Sequence, residues 1–430
     1  MEPAKRMFDP AVQEFLRRAN LEYWHWDQVR RHPLPAGWDA SALWCLIKAA
    51  RVANRREFGL QSSTGEPFRF WLPEGAQHDL YQTDIRMGAR LRFDELDVTA
   101  SELRRYTATS LMEEAIASSQ IEGAQTTREV AREMLRRGRR PRTRAEQMIL
   151  NNYKTILMIR DLKGRALSGD MLLDLQRSMT HGTLDDPSAA GRFRRSTERV
   201  RIVDERDNTV LHDPPPASEL PARMDALCRF ANEEDGGEPF IHPIVRAILL
   251  HFWLGYEHPF VDGNGRTARA LFYWYALRRG YWFFEYLPIS RIIARAPIRY
   301  GRAYLYAESD DKDATYFIVF HLQVIRTAFT ELVDYLRAQR SRLDEAKDLQ
   351  KRYRELNLNH RQIQLIQDAI NDEVDEHTIQ KHRGVYGVSY GSAYTDLDGL
   401  VRRGLFERAR RGRQLVFYPA DDLAERLRGT

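Results

Sequence analysis

Apolar residues recur at helical spacing along most of this chain. In residues 39–55 they fall at Ala42, Leu43, Leu46, Ile47, Ala50 and Ala53, which predicts an amphipathic helix. Residues 59–75 are marked by Gly and Pro and end in Phe68, Phe70, Trp71 and Leu72, a pattern for a loop or short hairpin. Residues 101–122 return to helical spacing through Leu103, Tyr106, Leu111, Ala115, Ile116 and Ile121. Gly123 follows, suited to a left-handed helix stop because it has no Cβ to clash. A further helix, 127–137, runs into Gly138 and Pro141.

Residues 145–340 are dominantly helical in period. One exception is 199–212, where Val200, Ile202, Val210 and Leu211 flank Asp207-Asn208, predicting two short strands around a polar turn. Pro214, Pro215 and Pro216 end that hairpin, and a helix starts near Leu220. Residues 341–355 are charged and read as an exposed helix or linker. The segment 357–430 reads helix, helix, turn, helix, short strands. The expected fold is mainly α, with domains at 1–140, 141–340 and 341–430.

Apolar residues are 43% and charged residues 30% of the chain, so a globular fold is expected. The run 244–260 is interrupted by Arg246, His251, Glu257 and His258, and no membrane span is expected. Residues 1–10 lack the apolar core of a signal peptide. Cys45 and Cys228 form neither a disulfide framework nor a zinc spacing, so a reducing cytoplasm is the expected compartment. The formal charge of +5 is mild, but it is concentrated in 136–144 and 408–413. Such clusters attract nucleic acid or acidic partners, or serve only as a solvated face.

The chemistry is concentrated in one stretch, His258-Pro259-Phe260-Val261-Asp262-Gly263-Asn264-Gly265-Arg266-Thr267-Ala268-Arg269. It lies between an apolar helix (Ile244, Ile248, Leu249, Phe252, Tyr256) and another that opens with Ala268 and Leu271. A Gly-containing loop that starts a helix lets backbone N–H groups approach phosphate. Asn264 adds an amide, and Arg266 and Arg269 add planar donors. Asp262 is a hard oxygen ligand of the kind that holds Mg²⁺ beside phosphates. His258 stands where an imidazole can take a proton from a hydroxyl.

At these positions the chain resembles the Fic family, whose motif is His-x-Phe-x-(Asp/Glu)-Gly-Asn-Gly-Arg-x-x-Arg. The resemblance implies transfer of AMP from ATP to a Tyr, Thr or Ser hydroxyl of an unidentified target protein, with release of pyrophosphate. It gives His258 the role of base and Asp262 that of Mg²⁺ ligand. Asn264 with the Gly263 and Gly265 amides would cradle the α- and β-phosphates, Arg266 would meet the β- and Arg269 the γ-phosphate, and Phe260 would pack inward. The Doc-type kinases of the family carry Lys in place of Arg266.

Ser118-Ser119-Gln120-Ile121-Glu122-Gly123 is similar to the family's inhibitory pattern (Ser/Thr)-x-x-x-Glu-(Gly/Asn). It implies that Glu122 pairs with Arg269 and holds nucleotide in an unproductive pose. Gly191-Arg192-Phe193-Arg194 is similar to family members in which a hairpin flap, here 200–212, aligns the target peptide by strand addition. Tyr300, Tyr304 and 313–317 are similar to the region that closes over adenosine. Two alternatives stay open: removal of AMP with Glu122 positioning water, and a DNA-binding regulator that senses nucleotide. A homodimer is among the partners the resemblance admits.

The C-terminal segment resembles a winged helix-turn-helix domain. Residues 359–370, 378–382 and 390–402 would be its helices, Ser389 a cap, and the basic stretch 408–414 its wing. DNA contact and protein docking are equally open on the sequence, since Asp396 and Asp398 would sit poorly against phosphates.

Overall fold

In the computed structural model the described residues are 8–85, 100–203, 208–233, 240–370 and 376–428, so Asp207 of the hairpin turn lies outside them. They form two compact units, Met1–Asp334 and Tyr335–Thr430. The first begins with α1 (Pro10–Leu21) and α2 (Ala40–Val52), the latter capped by Asp39, whose carboxylate accepts from Ala42 N–H at 2.8 Å. An antiparallel hairpin follows, β1 (Arg56–Gln61) and β2 (Pro67–Phe70), then α3 (Glu74–Thr83). The hairpin expected over 59–75 thus starts earlier, at Arg56.

Five helices and the second hairpin frame the centre: α4 (Ala100–Ile121), α5 (Arg128–Arg137), α6 (Arg144–Leu162), α7 (Gly169–Thr180), β3 (Ile202–Val203) with β4 (Val210–His212), and α8 (Leu220–Asn232). The side chain of Leu103, in the first turns of α4, lies outside the described residues. Gly123 (φ +87°) takes the left-handed conformation expected of it after α4, and Gly138 (φ +64°) takes the same conformation after α5.

The centre itself is α9 (Pro243–Glu257) against α10 (Asn264–Arg278). Both are apolar nearly all round: Ile244, Ile248, Phe252, Leu271, Phe272 and Trp274 are all fully buried. A helix of that kind belongs inside a fold. Helices α11 (Ile289–Ala294), α12 (Pro297–Ser309) and α13 (Thr315–Glu355) follow, and the residues of α13 divide between the two units.

The boundary drawn at residue 140 does not separate compact units. Ile116 and Ala124, before it, share one apolar cluster with Ala131, Met134, Met148 and Ile149 on both sides of it. The Arg-rich stretch there is partly structural, since Arg139 pairs with Glu146 at 2.8 Å and, with Arg142 N–H, holds that carboxyl down to about 2. Residues Thr315–Ala338 of α13 are long and apolar enough to cross a bilayer by length and composition, with 61% of the most apolar window buried. Phe317, Ile318, Leu322 and Ile325 there are buried in the protein interior.

The second unit runs α14 (His360–Ile370), β5 (His377–Thr378), α15 (Ile379–Tyr386), α16 (Tyr390–Arg402), β6 (Phe406–Arg411), β7 (Gln414–Pro419) and α17 (Leu423–Arg428). Its sheet has the order β5-β7-β6. Leu365, Ile366, Leu397, Leu400 and Phe417 form its core. Ser389 caps α16 by accepting from Ser392 N–H at 3.1 Å.

Candidate active site

His258 ends α9 in a left-handed conformation, φ 46° and ψ 54°, uncommon for a residue with a side chain. Its Nδ1 lies 3.1 Å from Gly255 O. A carbonyl only accepts, so Nδ1 carries the proton and Nε2 keeps its lone pair. Burial lowers the His258 pKa below the ordinary imidazole value; the Gly255 bond and Glu122 oppose this, while His212 and Arg194 reinforce it. The ring is therefore neutral at pH 7.

The loop after His258 is held from several directions. The Asn264 amide spans the backbone of Phe260, accepting from its N–H at 2.9 Å and donating to its carbonyl at 2.8 Å. The expected phosphate donor is thus, in its side chain, the brace of the loop. Phe260 is fully buried, as expected, and packs near Phe193, with ring centroids 5.8 Å apart. Arg194 donates from Nε to His258 O at 2.9 Å, and its N–H to Pro259 O at 2.9 Å. Gln176 donates to Asp262 O at 3.1 Å and accepts from Gly191 N–H at 2.6 Å, joining two loops.

Gly263 (φ +87°) opens α10, and a Cβ there would stand 2.9 Å from Thr180 Cγ2. Beyond it the N–H groups of Asn264, Gly265 and Arg266 have no carbonyl one turn back, so the helix start presents donors and a partial positive charge. Arg266 is fully buried, with Nη1 on Met179 O at 3.0 Å and Nη2 on Asp262 Oδ1 at 3.1 Å. Its guanidinium is engaged within the fold rather than displayed to the cavity. Asp262 Oδ1 also accepts from Gly263 N–H, which leaves Oδ2 as the available oxygen on a partly exposed carboxylate.

Ser118 and Glu122 meet Arg269. Arg269 Nε donates to Ser118 Oγ at 2.8 Å, and Nη2 donates to Ser118 O at 2.8 Å and to Glu122 Oε1 at 3.0 Å. Its Nη1 is buried without a partner among the described residues. Burial acts to lower the Arg269 pKa, but Glu122 and Tyr300 outweigh it and the group is held above its ordinary value. The Glu122 carboxylate lies against Gly265, at the start of α10.

A cavity of about 470 Å³ opens beside these groups, lined by Glu122, His258, Gly265, Tyr300 and Tyr304 and by the hairpin residues Ile202, Val203 and Leu211. That volume falls in the range of small-molecule sites, about 300–1,000 Å³. Tyr304 comes so close to α9 that any Cβ at Gly255 would stand 2.2 Å from its hydroxyl. Asp313, Ala314 and Phe317 do not line the cavity. They are fully buried, and Asp313 is bonded by Tyr23 and Arg55.

Two residues that the sequence did not single out, His212 and Glu308, join the walls. His212, on β4, is buried, with Nε2 on Tyr256 O at 2.7 Å and Nδ1 on Glu308 Oε2 at 2.8 Å. It connects the hairpin to the last turn of α9 and to α12.

The described residues thus place a Gly-containing loop, whose helix start presents N–H donors, between two buried helices, with a histidine at the loop's entrance and the Glu122 carboxylate against it. Residues 166–276 match the family model described as Fic/DOC family. The protein named protein adenylyltransferase Fic of Nematostella vectensis is 31% identical over 163 residues, 33% of this chain and 35% of that one. Its namesake in Drosophila melanogaster is 38% identical over 96 residues, 22% of this chain and 17% of that one. The chain therefore spans about a third or less of the length of these curated relatives. A Fic family protein from Desulfovibrio desulfuricans G20 shares the fold with a TM-score of 0.51 at 23% identity, covering 80% of this chain and 95% of that one. Fic-1 from C. elegans does so with a TM-score of 0.51 at 19% identity, covering 76% and 84%. The likeness to the Fic/DOC family falls on residues 166–276, which include the loop 258–269.

Proposed function

We propose that the chain transfers AMP from ATP to a hydroxyl of a target protein and that Glu122 holds this activity in check. The observation that carries the reading is a neutral His258 with a free Nε2, beside a helix start whose anion position is filled by the chain's own carboxylate. The hydroxyl proton passes to His258 Nε2 as its oxygen bonds to the α-phosphorus. The bond from that phosphorus to the bridging oxygen breaks, and pyrophosphate departs with the electron pair. Catalysis of this kind rests on positioning and charge neutralisation.

Asn264 keeps the loop in shape, and the amides of α10 with Arg269 receive the phosphates once Glu122 withdraws. Asp262 suits Mg²⁺, because one carboxylate oxygen is available and the ion takes its remaining ligands from phosphates and water. The ion would supply charge neutralisation at those phosphates. The exposed edges of β3 and β4, with Ile202, Val203 and Val210 partly in solvent, suit the addition of a target strand. With the activity we propose a reducing, cytoplasmic setting. A second reading, AMP removal, is favoured by the placement of Glu122 in the same cavity as His258.

The test is mass spectrometry of a lysate treated with ATP, Mg²⁺ and the Glu122→Gly protein. AMP on Tyr, Thr or Ser peptides supports transfer. Phosphate on them, or loss of AMP from a pre-modified protein as the sole change, overturns it.

A further inference from the structure

We propose that the C-terminal unit is a winged helix that binds duplex DNA through α16 and the β6–β7 hairpin. This is independent of AMP transfer. The element order is helix, strand, helix, helix, hairpin, with β5 beside β7. Residues 376–419 hold eight Lys and Arg against four Asp and Glu (the acids of 372–375 lie outside the described residues).

The two acids that would repel phosphate are internal. Asp396 is 4% exposed and takes bonds from Asn359, Arg361 and His382, its pKa lowered although burial pushes the other way. Asp398 is also buried, paired with Arg402 at 2.7 Å and Arg408 at 3.1 Å. The first turns of α16 show neutral polar side chains to solvent, Tyr390, Ser392 and Thr395, with Gly391 allowing close approach, and its last turn exposes a cation, Arg402. A helix about 10–12 Å across fits the major groove of B-DNA, about 12 Å wide.

The hairpin register sets the cations beside that face. Arg408 pairs across the strands with Phe417, which is buried, and Arg410 with Leu415. Side chains on a strand alternate, so Arg410 shares the side on which Arg408 reaches α16. Arg410 and Arg413 are exposed and have no carboxylate partner among the described residues. Long exposed apolar side chains on α15 and α16 are few, Val385 and Tyr390, too sparse for the anchor cluster of a protein partner.

The experiment is fluorescence anisotropy of the full chain with a labelled 30-base-pair DNA duplex between 50 and 200 mM KCl. The expected result is binding of order micromolar at low salt, falling at least about tenfold across that range. The double variant Arg410→Ala/Arg413→Ala weakens binding about tenfold and lowers the log–log salt slope by about 2. Adding a cation at the exposed wing tip, Gln414→Lys, tightens it and raises the slope by about 1. No binding at 50 mM KCl, no response to either variant, or equal affinity for duplex RNA or polyglutamate would overturn the proposal. The deep, narrow major groove of RNA does not admit a helix.

Discussion

The carboxylate of Glu122 rests against Gly265, so that a Cβ at 265 would stand 2.1 Å from Oε1 and 3.1 Å from Arg269 Nη1. No side chain fits between that carboxylate and the helix start, and in the proposed reaction the same gap is where a phosphate must approach. Gly265→Ala therefore dislodges Glu122 without opening the site. AMP transfer is expected to stay at background in Gly265→Ala. It is expected to fall at least about tenfold when that change is added to Glu122→Gly, on the scale of misplacing reacting groups by about an ångström. Transfer kinetics on the single and double variants check this.

The pH profile reports His258. Burial lowers its pKa, and Glu122 opposes that shift. A base with a lowered pKa is already deprotonated at pH 7 and gains a proton only as pH falls. Activity of Glu122→Gly is thus expected to be flat through neutral pH and to drop below the ordinary imidazole range. Removing Glu122 removes a raising influence, so the limb moves further toward acid. A limb centred above pH 7 in the kcat/KM profile contradicts the assignment.

His212 is a positioning residue. Both ring nitrogens are engaged, one on a helix-end carbonyl and one on Glu308, and so β4 is fixed to the turn that carries His258. In the Glu122→Gly background, His212→Ala is expected to raise KM for the protein target about tenfold, more than it raises KM for ATP. Equal effects on both constants would count against an anchoring role.

What could be read from the sequence was what is local. The loop 258–269 is contiguous, and its neighbours in sequence are its neighbours in space. The caps at Ser389 and Gly123 are equally local and appear where their chemistry places them. Glu122 lies 147 residues from Arg269, and its contact with that arginine was legible only because the pattern of 118–123 is distinctive.

The rest depends on contacts that residue type does not announce. Gln176 reaches a loop 86 residues away and His212 a glutamate 96 residues away. Arg266 has the right type for a phosphate, but the end of α7 offers it the Met179 carbonyl. Residues 313–317 have the same apolar pattern whether they pack a core or close a pocket, and here they pack a core. The apolar faces of 116–124 and 131–149 complete one another, which is why residue 140 is no boundary.

The most direct measurement of the central claim is transfer of label from α-phosphate-labelled ATP with Mg²⁺ onto protein, compared among wild type, Glu122→Gly, and Glu122→Gly with His258→Ala. The account predicts little label with wild type, at least about a hundredfold more with Glu122→Gly, and a return to background with the double variant, as expected when an essential general base is lost. A Glu122→Gly protein that stays silent, or one whose label survives His258→Ala, would contradict it.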